Sequence, residues 1–173
     1  MTSILKVSTI QNTAGGAPTA ADLGLNVTGS VLQVVSVSAN ATLSTSSTSF
    51  ADIPGMTATI TPQNSSNKIL ICYVNHIYIN GTSDTSNWQV ACINLYRDST
   101  LIREEPTNQY HTGHVPDSAS HRFMDFQTVF YYDSPATTSA TTYKLQGAAV
   151  GEVIFNNPNY GRGGTITLME IAG

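Results

Sequence analysis

The side chains best suited to chemistry cluster between residues 106 and 122. His111 and His114 form a His-x-x-His pair, Asp117 follows, and His121 completes the group. Imidazole nitrogens and a carboxylate are ligands that zinc takes in threes or fours, converging tetrahedrally. The stretch Pro106–Ser120 is polar and punctuated by Pro and Gly, so it reads as a long surface loop in which histidines are ordinarily solvated. Cys72 and Cys92 sit on separate apolar runs and supply no paired Cys-x-x-Cys. His111, His114 and His121 are the metal-ligand candidates, and neither a metal nor a cofactor is expected.

Catalysis finds less support. Glu104 and Glu105 are adjacent on an extended segment, so their side chains point to opposite faces and cannot act as a close carboxylate pair. There is no Gly-x-Ser-x-Gly elbow and no glycine-rich phosphate loop opening a helix. The chain is expected not to be an enzyme. Surface recognition remains, and it needs an aromatic platform beside a few convergent polar groups. Trp88, Tyr110 with His111, His114 and Asp117, and Tyr160 with Arg162 are the candidate receptor contacts.

These residues need a scaffold, and composition narrows its type. Only 10% of the 173 residues are charged and the formal net charge is −4, against roughly 25% charged in ordinary soluble domains. Threonine, serine and asparagine number 23, 18 and 13, so hydroxyls and amides take the place of charge at the surface. The seven Lys and Arg are scattered singly and form no basic stripe, which argues against nucleic-acid binding. No apolar run approaches the ~18 residues of a membrane span, and no continuous apolar signal segment opens the chain. Without a secretion signal the cysteines are expected to be reduced. The four Asn-x-Ser/Thr sequons, at Asn26, Asn40, Asn64 and Asn80, are what this composition produces by chance.

The apolar period is two almost throughout, which is the strand period. Val31–Val37, Met56–Thr61, Lys68–Ile79, Trp88–Arg97, Leu101–Glu105, His121–Tyr132, Thr141–Val150 and Thr165–Ala172 read as eight strands. Pro54-Gly55 reads as a turn before the second strand. Asn80-Gly81 reads as the turn of a hairpin joining the third strand to the fourth. An all-β, eight-stranded antiparallel jelly-roll sandwich is the expected fold. Residues 30–173 form the head and residues 1–29, small and Gly/Ala/Thr-rich, form an extended arm with too little bulk for a core of its own.

Two strands are apolar on both faces. Lys68–Ile79 sets Leu70, Cys72, Val74, His76 and Tyr78 against Ile69, Ile71, Tyr73, Asn75, Ile77 and Ile79, and Trp88–Tyr96 behaves similarly. An antiparallel strand normally wets one face, so the second face needs cover. Ile69, Ile71, Tyr73, Ile77, Ile93 and Leu95 are the expected subunit interface, and a loop of the same chain is the other possible cover.

The opening Ser3-Ile-Leu-Lys-Val-Ser-Thr-Ile-Gln-Asn-Thr-Ala-Gly15 resembles the start of tail-fibre-type structural proteins of tailed bacteriophages, those of marine cyanobacteria in particular. Ile53-Pro-Gly-Met-Thr-Ala-Thr-Ile-Thr-Pro62, Ser65-Ser-Asn-Lys-Ile-Leu-Ile71 and Gly164-Thr-Ile-Thr-Leu-Met-Glu-Ile171 resemble the distal domain of the same group. The resemblance implies a virion structural protein, trimeric, anchored by an arm that includes Leu5, Val7 and Ile10. Its implied partners are copies of itself, other virion proteins, and a host cell-surface glycan or protein. The alternative is a capsid decoration or head-fibre protein that ornaments the shell without a receptor.

Overall fold

The computed structural model describes residues 8–18, 22–23, 27–39, 41–81, 89–104, 112–113, 121–157 and 163–173, with backbone alone for 80–81, 112–113 and 121–123. It is all-β among these residues, with eleven strands in two antiparallel sheets. In chain order they are β1 (Val31–Ala39), β2 (Leu43–Thr45), β3 (Ala51–Ile60), β4 (Lys68–Gly81), β5 (Gln89–Arg97), β6 (Thr100–Arg103), β7 (Thr112–Gly113), β8 (His121–Asp133), β9 (Thr141–Val150), β10 (Val153–Phe155) and β11 (Gly164–Ile171). The first sheet runs β1-β11-β4-β10-β2, with β8 along the other side of β4. The second runs β3-β9-β5-β6, with β7 also on β5.

Alternation decides which side chains meet between the sheets. In β9, Thr141, Tyr143 and Leu145 are buried while Thr142, Lys144 and Gln146 face outward. In β11, Ile166, Leu168 and Glu170 turn inward. The core joins Ile53, Met56, Ile60, Ile69, Ile71, Tyr73, Ile93, Leu95, Tyr143 and Phe155 from both sheets. Gly147 is part of the same fit, because a Cβ there would lie 2.8 Å from Cε2 of Phe155.

Eight of the strands fall where they are expected, with β3 beginning at Ala51 rather than Met56 and β6 ending at Arg103 rather than Glu105, and three short strands are added. β10 lies inside Gly151–Gly164, which the sequence presents as a loop. Two turn assignments are corrected. Pro54-Gly55 does not end a strand but lies inside β3, where the register against β9 shifts between Asp52 and Thr57 and Gly55 takes a φ of 78°. One class of bulge uses such a left-handed residue, and glycine supplies it without a Cβ penalty. Asn80-Gly81 is likewise no hairpin turn. Both residues continue β4, opposite Arg122 and His121 of β8. β4 uses one side for β8 and the other for β11 and β10, so β5 has no place beside it and joins the second sheet instead.

Asn156 closes the one break in that ladder. β11 pairs β4 as far as Val74 and β10 pairs it from Ile77. Between them the backbone N–H of Asn156 donates to the carbonyl of His76 at 2.8 Å, and the backbone N–H of His76 donates to Oδ1 of Asn156 at 3.2 Å. Asn156 holds a φ of 54°, a conformation asparagine tolerates better than most residues.

A candidate interaction face on the first sheet

Two buried polar clusters hold the sheets in place. Asp133, at the end of β8, accepts Nη1 of Arg97 at 2.9 Å on each oxygen and the hydroxyl of Tyr143 at 2.7 Å. Arg97 and Tyr143 belong to the second sheet, so this cluster ties β8 across the sandwich. Burial, and then the Asp133 carboxylate, push the Tyr143 phenol well above its ordinary range and keep it a hydrogen-bond donor. Glu170 of β11 is fully buried. Its Oε1 accepts the backbone N–H of Gln63 and Nδ2 of Asn67, both at 2.6 Å, and its Oε2 accepts Nε2 of Gln33 at 2.6 Å. Burial draws this carboxyl upward, but the donors outweigh it and hold it below the ordinary glutamate value.

Among the described residues, the rows from Tyr132 to Met124 that the anchored first sheet turns outward carry no charged side chain. The cross-strand register sets them out. Val34, Met169, Leu70 and Tyr132 form one row across β1, β11, β4 and β8; Ser36, Thr167, Cys72 and Phe130 form the next. Ser38, Thr165, Val74 and Thr128 follow, and then His76 beside Phe126 and Tyr78 beside Met124. The hydroxyls of Ser36 and Thr167 meet at 2.9 Å. The β8 side is the apolar part: Phe130 is 70% exposed, Met124 and Tyr132 54% each, Phe126 42%, and Val74 on β4 37%. His76, the imidazole of these rows, is buried with its ring 5.2 Å from that of Phe126. Burial pushes the Cys72 thiol up, so at neutral pH it stays protonated and is a poor nucleophile. Lys68 stands at the rim, donating to the hydroxyl of Ser134 at 2.8 Å.

The expected interface residues lie elsewhere. Ile69, Ile71, Tyr73, Ile77, Ile93 and Leu95 are at most 1% exposed and form the core between the chain's own sheets. Odd-numbered residues of β4 point inward, so a neighbouring subunit cannot reach them. On β5 the opposite face is also covered within the chain, for Val90 and Cys92 are buried. Among the described residues, the large apolar side chains left exposed on this face are Met124, Phe126, Phe130 and Tyr132 of β8, with Val74 of β4 and Val34 of β1. The signal of the β8 residues was present in the sequence, since Met124, Phe126, Phe130 and Tyr132 fall at alternate positions of His121–Tyr132, interrupted by Thr128.

The receptor candidates Trp88, Tyr110, His111, His114, Asp117, Tyr160 and Arg162 lie outside the described residues, as do Leu5 and Val7 of the arm and the side chain of His121. Ile10 is described and exposed. Among the described residues, no three His, Cys, Asp or Glu side chains are placed to hold a metal ion. Cys72 and Cys92 form no disulfide. No family model matches the chain, and no curated protein matches it.

Proposed function

We propose that this chain is a non-enzymatic structural subunit of a bacteriophage virion, a tail-fibre or knob-like protein. In this reading residues 1–29 attach it to the particle and a jelly-roll head presents loops to a host-surface glycan or protein. The jelly-roll assignment is supported by the pairing of the long strands. Numbered one to eight in chain order, they pair one with eight (β1·β11), two with seven (β3·β9), three with six (β4·β8) and four with five (β5·β6). That is the pattern of an antiparallel ribbon rolled over on itself, an architecture common in capsid and lectin domains.

The observation that carries the reading is the largely apolar outward face of the first sheet. A chain with 10% charged residues that leaves several aromatic rings in water is adapted to a permanent assembly. In a trimer the mechanism of adhesion is avidity, three modest sites on one rigid support.

Deleting residues 2–29 is expected to abolish incorporation into particles. The full-length protein is expected to bind host cells and compete with phage adsorption. Incorporation without such competition replaces receptor binding with ornamentation of the shell. Particles that assemble without ever containing the protein sink the virion reading.

A further inference from the structure

The exposed apolar face is most concentrated on β8, where Met124, Phe126, Phe130 and Tyr132 project on one side over nine residues. Leu70, Cys72 and Val74 of β4 continue it inward through the register. At the fractional exposures found, the four β8 side chains leave roughly 330–550 Å² to solvent, taking ~150–250 Å² for a whole large side chain. Apolar patches beyond a few hundred Å² mark interaction sites on soluble proteins. A stable interface buries about 800 Å² per partner. The patch supplies about half of that area, and the exposed Ser36, Ser38 and Thr128 and the half-buried Thr165 and Thr167 extend it.

We propose that this face, centred on Phe130 and Tyr132, is the seam at which the chain packs against a second copy of itself. The inference rests on the reading of the chain as an assembly subunit and names the surface that does the assembling. Charge complementarity selects foreign partners and steers them into place, and among the described residues the rows from Tyr132 to Met124 carry no charged side chain to do so. Recognition is left to shape and apolar contact. The chain's own copies are always present in equal amount and offer an equally neutral face. Asp133 supports the seam without joining it: its bonds to Arg97 and Tyr143 fix the end of β8 against the second sheet, so the aromatic row is held ready for contact. Aromatic side chains on a rigid strand lose little conformational freedom on binding and dominate interface energetics.

The test is the mass of the purified full-length chain in solution at micromolar concentration, by light scattering behind size exclusion. The expected mass is a multiple of 18.4 kDa. The double variant Phe130→Ser/Tyr132→Ser is expected to run as a single chain, with its apparent dissociation constant raised more than roughly a hundredfold and its far-ultraviolet spectrum unchanged. A second measurement avoids dependence on that variant's folding. The photo-crosslinker p-benzoylphenylalanine placed at position 130 is expected to link two chains and to retain partner peptides from the same face. A wild-type protein of single-chain mass overturns the proposal, as does a crosslink formed only within one chain to residues 1–29. Either result leaves the virion reading standing, because another virion protein would then cover the face, and the deletion of residues 2–29 tests that reading separately.

Discussion

Glu170 offers the sharpest test of how this sandwich is held together. It is a carboxylate with no exposed surface, and three donors converge on it at 2.6 Å from β1, from the β3–β4 connection and from Asn67 beside β4. Glu170→Gln keeps the shape, but one oxygen becomes an NH2 group facing a donor. Nε2 of Gln33 cannot simply turn away, since it also donates to the carbonyl of Thr61 at 2.7 Å. The cost is the loss of one charge-assisted hydrogen bond, about 1.5–3 kcal/mol. Glu170→Ala strands all the donors and leaves a void, for about 3–5 kcal/mol. At ~2–4 °C per kcal/mol for a domain of this size, the Gln variant melts roughly 3–12 °C below the parent.

The lowered carboxyl value of Glu170 adds a pH dependence. A group whose folded value is depressed stabilises the fold fully above its unfolded value of about 4.3. That contribution is lost as pH falls through the folded value. The wild-type chain therefore loses stability more steeply than Glu170→Gln as pH falls below about 4.3, and the two curves converge in acid. Urea titrations followed by circular dichroism measure both effects, at one fixed protein concentration so that assembly enters both proteins' curves at the same concentration. A Gln variant within 0.5 kcal/mol of wild type at pH 7, or parallel pH curves, would refute the account of Glu170 as an ionised clasp.

Other substitutions probe neighbouring contacts. Tyr143→Phe removes the 2.7 Å hydrogen bond to Asp133 and leaves that carboxylate on Arg97 alone; a loss of about 1–2 kcal/mol is expected in equilibrium unfolding. Gly147→Ala places a methyl 2.8 Å from the Phe155 ring, and overpacking of about 1–3 kcal/mol should appear as a lower denaturation midpoint with an unchanged slope. Asn156→Ala removes the side-chain acceptor that continues the β4 ladder at His76, and faster amide exchange at His76 is the expected result.

Much of the scaffold was legible in the sequence because strands announce themselves through a period of two. The long runs Thr141–Val150 and Thr165–Ala172 match β9 and β11 within a residue. The punctuation was less reliable. Asn80-Gly81 and Pro54-Gly55 are turn dipeptides by composition, yet both continue strands, because a ladder partner or a bulge overrides local preference. β10, at three residues, is too short to show any period; it exists because β2 and β4 pair with its two sides.

The interaction face shows the same division. That β4 and β5 are apolar on both faces, and that something must cover the second face, is a property of composition and alternation. Which face goes inside is a collective outcome. Ile69, Ile71 and Tyr73 are sealed in the core because odd-numbered β4 residues face the second sheet, while Leu70, Cys72 and Val74 are left on the side where β8 adds Phe130 and Tyr132. Alternation alone labels the two sides of a strand without saying which is in. The sequence by itself determined an all-β chain whose surface relies on hydroxyls and amides. Only the packing of one sheet on the other, with Asp133 and Glu170 anchoring the first, decided which aromatic row is left facing water.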